Sequence, residues 1–335
     1  MRRSRSITYF AFSLISLSIA VLPTAIPPRA EAADDIVRDY TDADGTMEYH
    51  IHLPPGDPAG KPMIVWLHGC GRGPGLSEQE TRDPNDDWVV NRVADEFGAV
   101  LVRPIRRYGP DTLCWDWLSP ANQQRGHGDP ARLANLTTAI VAEFGLDRSR
   151  VYMSGYSAGG AMATVMGATY PDLYAAIAPM AGAPFRIDPT TAFESLTGTV
   201  IPGSGQPIHD AMGARARPLP TFFLQAPGDQ LSLYSVGRAD LEQWLSADNI
   251  AYRGSDDGTV PRLPASNETV GPGPGFMVAA GDEHYSTHGC EIAEFVSPTE
   301  LEHFQTLGLL SSDDGIGYVR MMIGFLLAHS LDSCR

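Results

Sequence analysis

Six short apolar runs recur along this chain, and stretches with helical periodicity separate them. The runs cover residues 62–67, 99–102, 151–154, 174–179, 219–224 and 276–279. A strand that is apolar at every position is buried on both faces, which is the habit of parallel strands between helix layers. Helical patterns occupy 85–97, 129–144 (with Asp129 as cap and Gly145 as stop), a segment around 241–245, and 317–329. Residues 46–53 alternate apolar and polar and read as an edge strand. The alternation predicts an α/β fold, a mostly parallel sheet with helices on both faces. Ligands then bind beyond the carboxyl ends of the strands. Residues 185–217 and 254–275, rich in Pro and Gly, read as long loops of the kind that form binding loops or a partial lid.

Residues 1–32 read as a secretory signal peptide. Arg2, Arg3 and Arg5 precede an apolar stretch at 7–22, which breaks at Pro23, and Ala30-Glu31-Ala32 is a small-x-small cleavage signal. The remaining residues, 33–335, read as a single catalytic domain, enough for one large core. The formal charge is −16; residues 1–32 hold four arginines and one glutamate, a net +3, so 33–335 carries −19. Such a charge excludes nucleic acid and anionic membrane as partners and favours a neutral or polymeric substrate. A monomer, free of the membrane after cleavage, is expected. Cys70, Cys114, Cys290 and Cys334 are an even set in an exported chain, so disulfides are expected, with three connectivities open. No C-x-x-C or H-E-x-x-H spacing occurs, so no metal and no cofactor are expected.

The chemistry centres on Gly155-Tyr156-Ser157-Ala158-Gly159, set between the run at 151–154 and a helical stretch. With 34 glycines in the chain the G-x-S-x-G pattern alone is weak. A serine on a strand-to-helix turn is, however, what a nucleophile elbow requires, its oxygen exposed at a helix N-terminus. The partners of a serine nucleophile follow in the order acid, then histidine. Asp229 lies just past the run at 219–224, with Asp210 and Asp282 as weaker rivals. His284 follows the run at 276–279, taken as the last strand, and is the expected base. His288 is its competitor; His50 and His52 sit on an early strand, and His329 ends a helix. An oxyanion needs two donors: the N–H of Ala158, and that of Cys70 in the loop His68-Gly69-Cys70-Gly71. Trp115, Trp117, Tyr156 and Tyr285 are candidate substrate-binding aromatics.

Three segments in this order, Trp66-Leu67-His68-Gly69-Cys70, Cys114-Trp115-Asp116-Trp117, and the stretch from Arg150 through the elbow to Met162, resemble the polyhydroxybutyrate depolymerase and feruloyl esterase family. These are secreted α/β hydrolases that also include acetylxylan esterases. The resemblance covers most of 45–250 and is thin beyond. It implies Ser157 as nucleophile, Asp229 as acid, Cys70 at the oxyanion hole, a Cys70–Cys114 disulfide and, with it, Cys290–Cys334. Two departures stand out. The histidine segment is Gly281-Asp282-Glu283-His284-Tyr285, where the family has a Gly-His-x-Trp-like stretch, and Gln225-Ala226-Pro227-Gly228 replaces a His-Gly pair before the acid. No linker and binding module of the kind many polyester depolymerases carry is expected.

The expected function is therefore a secreted serine esterase acting on feruloyl or acetyl esters of plant polysaccharide. The alternatives are a polyhydroxyalkanoate depolymerase or oligomer hydrolase, and a secreted serine peptidase, for which no glutamate pair to anchor a peptide terminus is evident. A non-catalytic binding protein on the same fold predicts a broken triad.

Overall fold

The computed structural model describes residues 34–43, 45–72, 88–106, 112–187 and 203–334. The signal-peptide reading and residues 188–202 of the expected loop 185–217 lie outside the described residues; the rest of that stretch is not all loop, since Gln206–Met212 is a helix. All described residues fall within one compact unit, Ala32–Arg335.

Among the described residues, ten strands form the main sheet. In chain order they are β1 (Asp34–Asp42), β2 (Gly45–Leu53), β3 (Met63–Leu67), β5 (Val100–Pro104), β7 (Val151–Tyr156), β8 (Ala176–Met180), β9 (Thr221–Leu224), β10 (Ser266–Val270), β11 (Ala280–Thr287) and β12 (Cys290–Pro298). Two short strands, β4 (Gly71–Arg72) and β6 (Thr112–Leu113), pair separately. The spatial order is β1-β2-β5-β3-β7-β8-β9-β12-β11-β10. Six central strands run parallel, β5 through β12, and an antiparallel pair flanks them on each side.

The continuous apolar runs serve two cores at once. Along β3, Met63, Val65 and Leu67 enter one core, while Ile64 and Trp66 enter the other. The second core is covered by α1 (Trp88–Phe97) and, at the chain's end, by the helix Ile316–Leu327. The first is covered by α2 (Gly128–Phe144), α3 (Ala158–Thr169) and the long helix Tyr234–Arg253. Between these lie α4 (Gln206–Met212) and α6 (His303–Leu310), so the long helix is α5 and the closing one α7. Every residue of α3 is buried, which places the elbow's helix in the centre of the molecule.

The sequence reading errs in one place that matters. Residues 276–279 are not a strand: Phe276 makes only an isolated bridge to Gly273, and Met277 is 53% exposed. The last parallel strand is β12, where a buried Glu294 interrupts Ile292, Ala293, Phe295 and Val296 and disguises the run. The supposed loop at 254–275 contains the exposed edge strand β10.

A buried acid joins α3 to α5. Thr164 Oγ1 donates to Asp240 Oδ2 at 3.2 Å, while Asp240 Oδ1 has no partner. Burial pushes this carboxyl up to about 7, against the Thr164 hydrogen bond. The folded chain therefore holds a proton that the unfolded chain has already released. The stability from this group is complete below about pH 4 and is lost as pH rises to about 7. Denaturant midpoints at pH 5 and pH 8 test this. The wild-type loss should exceed that of Asp240→Asn by about 2–3 kcal/mol, and equal losses would refute the assignment.

Candidate active site

Ser157 sits between β7 and α3 with φ 58° and ψ −121°, a backbone conformation that L-residues rarely adopt. Two features hold it there. The Ser157 N–H donates to Met180 O of β8 at 2.9 Å, and the helix that follows packs directly against the loop after β3. A Cβ at Gly159 would lie 2.2 Å from Leu67 O and 2.6 Å from His68 O. Only glycine permits that approach, which brings the loop 67–70 beside the serine. The position of a Cβ on Gly69 would be 3.3 Å from Ser157 Cβ.

Ala158 opens α3, so its N–H is one of the first-turn donors that lack an intrahelical acceptor. The loop carrying the Cys70 N–H is fixed by His68. The Arg106 N–H donates to His68 Nε2 at 3.0 Å, so the proton resides on Nδ1, which donates to Gly69 O at 2.6 Å. The imidazole also packs on Trp115, with ring centroids 5.2 Å apart. The Cys70–Cys114 disulfide and the β4–β6 pairing tie this loop to the segment before Trp115. The second disulfide is Cys290–Cys334.

Asp229 follows β9 and is 3% exposed. Its Oδ1 accepts the N–H groups of Leu231 and Ser232, at 2.9 and 2.8 Å. Its Oδ2 lies 2.7 Å from Nδ1 of His303 and accepts a longer bond from Gln225 Nε2. His303 is the first residue of α6, five residues past the end of β12. A capping box between Glu302 and Gln305 sets the start of that helix. The Tyr156 hydroxyl donates to His303 O at 2.7 Å, and the two rings stack with centroids 5.0 Å apart. The residue before the serine therefore supports the histidine directly. Burial, with the Asp229 charge adding to it, holds the Tyr156 phenol well above its ordinary range, so it remains a donor.

The histidine beside the acid is thus His303, and neither His284 nor His288. His284 lies within β11, where Nδ1 contacts Glu291 at 2.5 Å and Nε2 faces Asp282 and Glu268. Burial works against its charge, but the Glu291 hydrogen bond and these carboxylates together raise its pKa above the ordinary value. His288 packs on Tyr252. His52 is held between Asp35 and Asp95, His50 contacts Glu48, and His329 contacts Phe325 O and Glu291 O. Asp210 accepts from Gln206 on α4. The rule that the histidine follows the last strand would have found His303, had β12 been recognised.

The proposed aromatic wall also changes. Trp115, Tyr156 and Tyr285 are all buried, the Tyr285 hydroxyl bonded to Glu283 and Arg238, so none offers a face to a ligand. Trp117 is half-buried against Ala161, Ala183 and Val236. Exposed apolar side chains adjoin the acid and the histidine instead: Leu231, 51% exposed, and Phe304, 54% exposed, the latter edge-on to the His303 ring. A strained serine, a buried imidazole–carboxylate pair and two backbone donors can together activate a hydroxyl and stabilise an oxyanion.

Residues 47–196 match the family described as Esterase PHB depolymerase. Poly(3-hydroxyalkanoate) depolymerase C of Paucimonas lemoignei is 34% identical over 42% of this chain and 33% of its own length. Feruloyl esterase B of Talaromyces funiculosus is 25% identical over 80% of this chain and 77% of its own. The acetyl xylan esterase structure from Aspergillus awamori superposes with a TM-score of 0.59 at 21% identity, over 80% of this chain and 94% of the other.

Gly159→Ala should cost about 1–3 kcal/mol, because its methyl must displace backbone carbonyls. Thermal denaturation measures the loss. An unchanged midpoint would mean that the loop after β3 is not clamped by the elbow.

Proposed function

We propose that this chain, whose residues 47–196 match the family described as Esterase PHB depolymerase, is a secreted serine esterase in which Ser157, Asp229 and His303 form the triad. The 2.7 Å contact between His303 Nδ1 and Asp229 Oδ2 carries this reading. With Nδ1–H committed to the acid, Nε2 keeps its lone pair and is the basic nitrogen.

Nε2 takes the proton of Ser157 Oγ as the oxygen attacks the ester carbonyl. The resulting oxyanion is held by the N–H groups of Ala158 and Cys70, each worth roughly 10²–10³ in rate in comparable sites. His303 then returns the proton to the leaving alcohol, an acyl-enzyme remains, and water releases the acid by the same route in reverse.

The preferred substrates are feruloyl or acetyl esters of plant polysaccharide. Two observations favour them over the polyester alternative: the feruloyl esterase alignment spans most of both chains, and Leu231 and Phe304 give the site an apolar rim suited to an aromatic acyl group. Export is supported by the two disulfides and by the basic, apolar and small-residue order of residues 1–32. Among the described residues, no helix is long and apolar enough to cross a membrane. The protein is proposed to act as a monomer, without a cofactor.

Hydrolysis of methyl ferulate, p-nitrophenyl acetate and polyhydroxybutyrate oligomers tests the assignment. Ser157→Ala and His303→Ala should each lower kcat by roughly 10⁴ or more, while His284→Ala leaves it within a few-fold. Retained activity in His303→Ala, with loss in His284→Ala, would reverse the choice of base. Inactivity of the wild type on all three esters would end the esterase reading.

A further inference from the structure

Strand register, rather than sequence spacing, gathers acidic side chains at the outer edge of the sheet. Glu268 of β10 lies directly across from Asp282 of β11, and Glu294 of β12 directly across from His284. A like-charge pair placed directly opposite disfavours strand pairing, yet β10 has no other strand neighbour in the sheet. Among the described residues, His284 is the one basic side chain in ion-pair range of Glu268 and Asp282.

The Asp282 carboxylate is the buried, incompletely partnered member of this cluster. It is 3% exposed and Oδ1 has no hydrogen-bond partner. Its Oδ2 reaches His284 Nε2 only at an ion-pair distance of 3.3 Å. Glu268 Oε1 is 3.9 Å from the same nitrogen, and the donor atoms of the three side chains all lie within 4.8 Å of one another. Glu294, 6% exposed, is a second buried acid against His284 and Glu291.

We propose that His284 Nε2, an Asp282 carboxylate oxygen and a Glu268 carboxylate oxygen bind one divalent cation of the zinc or manganese class. One imidazole nitrogen with two carboxylates suits these borderline ions, whereas calcium prefers an all-oxygen shell. Bonds of about 2.0–2.2 Å need donor atoms about 3.3–3.5 Å apart, so the Asp282–His284 edge already has the right length. Only Glu268, on the exposed edge strand, must move inward. Glu291 completes the arrangement by accepting the His284 Nδ1–H, which fixes the ring with Nε2 free to ligate. The partly exposed His284 and exposed Glu268 leave a route in from solvent. The ion replaces a repulsive cross-strand pair by a clamp between β10 and β11. The proposal does not depend on the esterase reading.

Calorimetric titration of the chelator-treated, full-length protein with ZnCl₂ and with MnCl₂, paired with thermal denaturation, tests it. The wild type should bind one equivalent of at least one metal and melt higher in its presence. Asp282→Asn and Glu268→Gln should each weaken binding at least tenfold, while His288→Ala, outside the cluster, should not. Because Glu268 is exposed, its variant remains informative if Asp282→Asn misfolds. No uptake of either metal by the wild type would overturn the proposal, and so would an affinity that both acid variants leave unchanged.

Discussion

The approach of α3 to the loop after β3 is the constraint on which the rest of this structure depends. Gly159 lets the first turn of the helix rest on the carbonyls of Leu67 and His68. That contact, with the Ser157 N–H bond to Met180 O, holds Ser157 in its strained conformation and brings the loop carrying Cys70 alongside it. Strain at such a point persists only where its surroundings over-determine it. Here the surroundings are a fully buried helix, a hydrogen bond to β8 and a histidine-braced loop. Ser157 and the proposed oxyanion donors are therefore positioned by one packing event rather than by two.

The proposed acid and base depend on a second adjacency. β9 and β12 are neighbours in the sheet and run parallel, so the turns that follow them emerge side by side. Gly228 brings the acid turn against the backbone of Leu301, just before His303. The chain between the two strands makes α5 and the β10–β11 hairpin without disturbing this juxtaposition. A long separation in sequence thus closes to one hydrogen bond in space.

The same topology explains what was legible beforehand. The runs that became β3, β5, β7, β8 and β9 are apolar on both faces because two helix layers cover them, and that pattern survives in sequence. Ser157 and Asp229 each follow such a run, so rules of position reach them. β12 hides because Glu294 breaks its apolar alternation, and the short apolar stretch at 276–279 stood in for it. His303 was lost with that substitution. The aromatic residues misled for a different reason: Trp115 and Tyr156 adjoin the loops of the site in sequence and Tyr285 adjoins His284, but their bulk fills the interior. Side-chain direction at the end of a strand is decided by packing, which spacing does not report. The acidic cluster at the sheet edge was equally invisible, since register across three strands assembles it.

The Cys290–Cys334 disulfide encloses β12, α6 and α7 in one loop of sequence separation 44, with His303 inside it and Asp229 outside. Closing a loop removes chain entropy chiefly from opened states. Segments near a chain end usually have the lowest free energy of local opening. Here the cross-link joins the segment bearing the proposed base to β12 of the central sheet. Opening of the segment around His303 is thereby tied to opening of β12, which lies in the same closed loop.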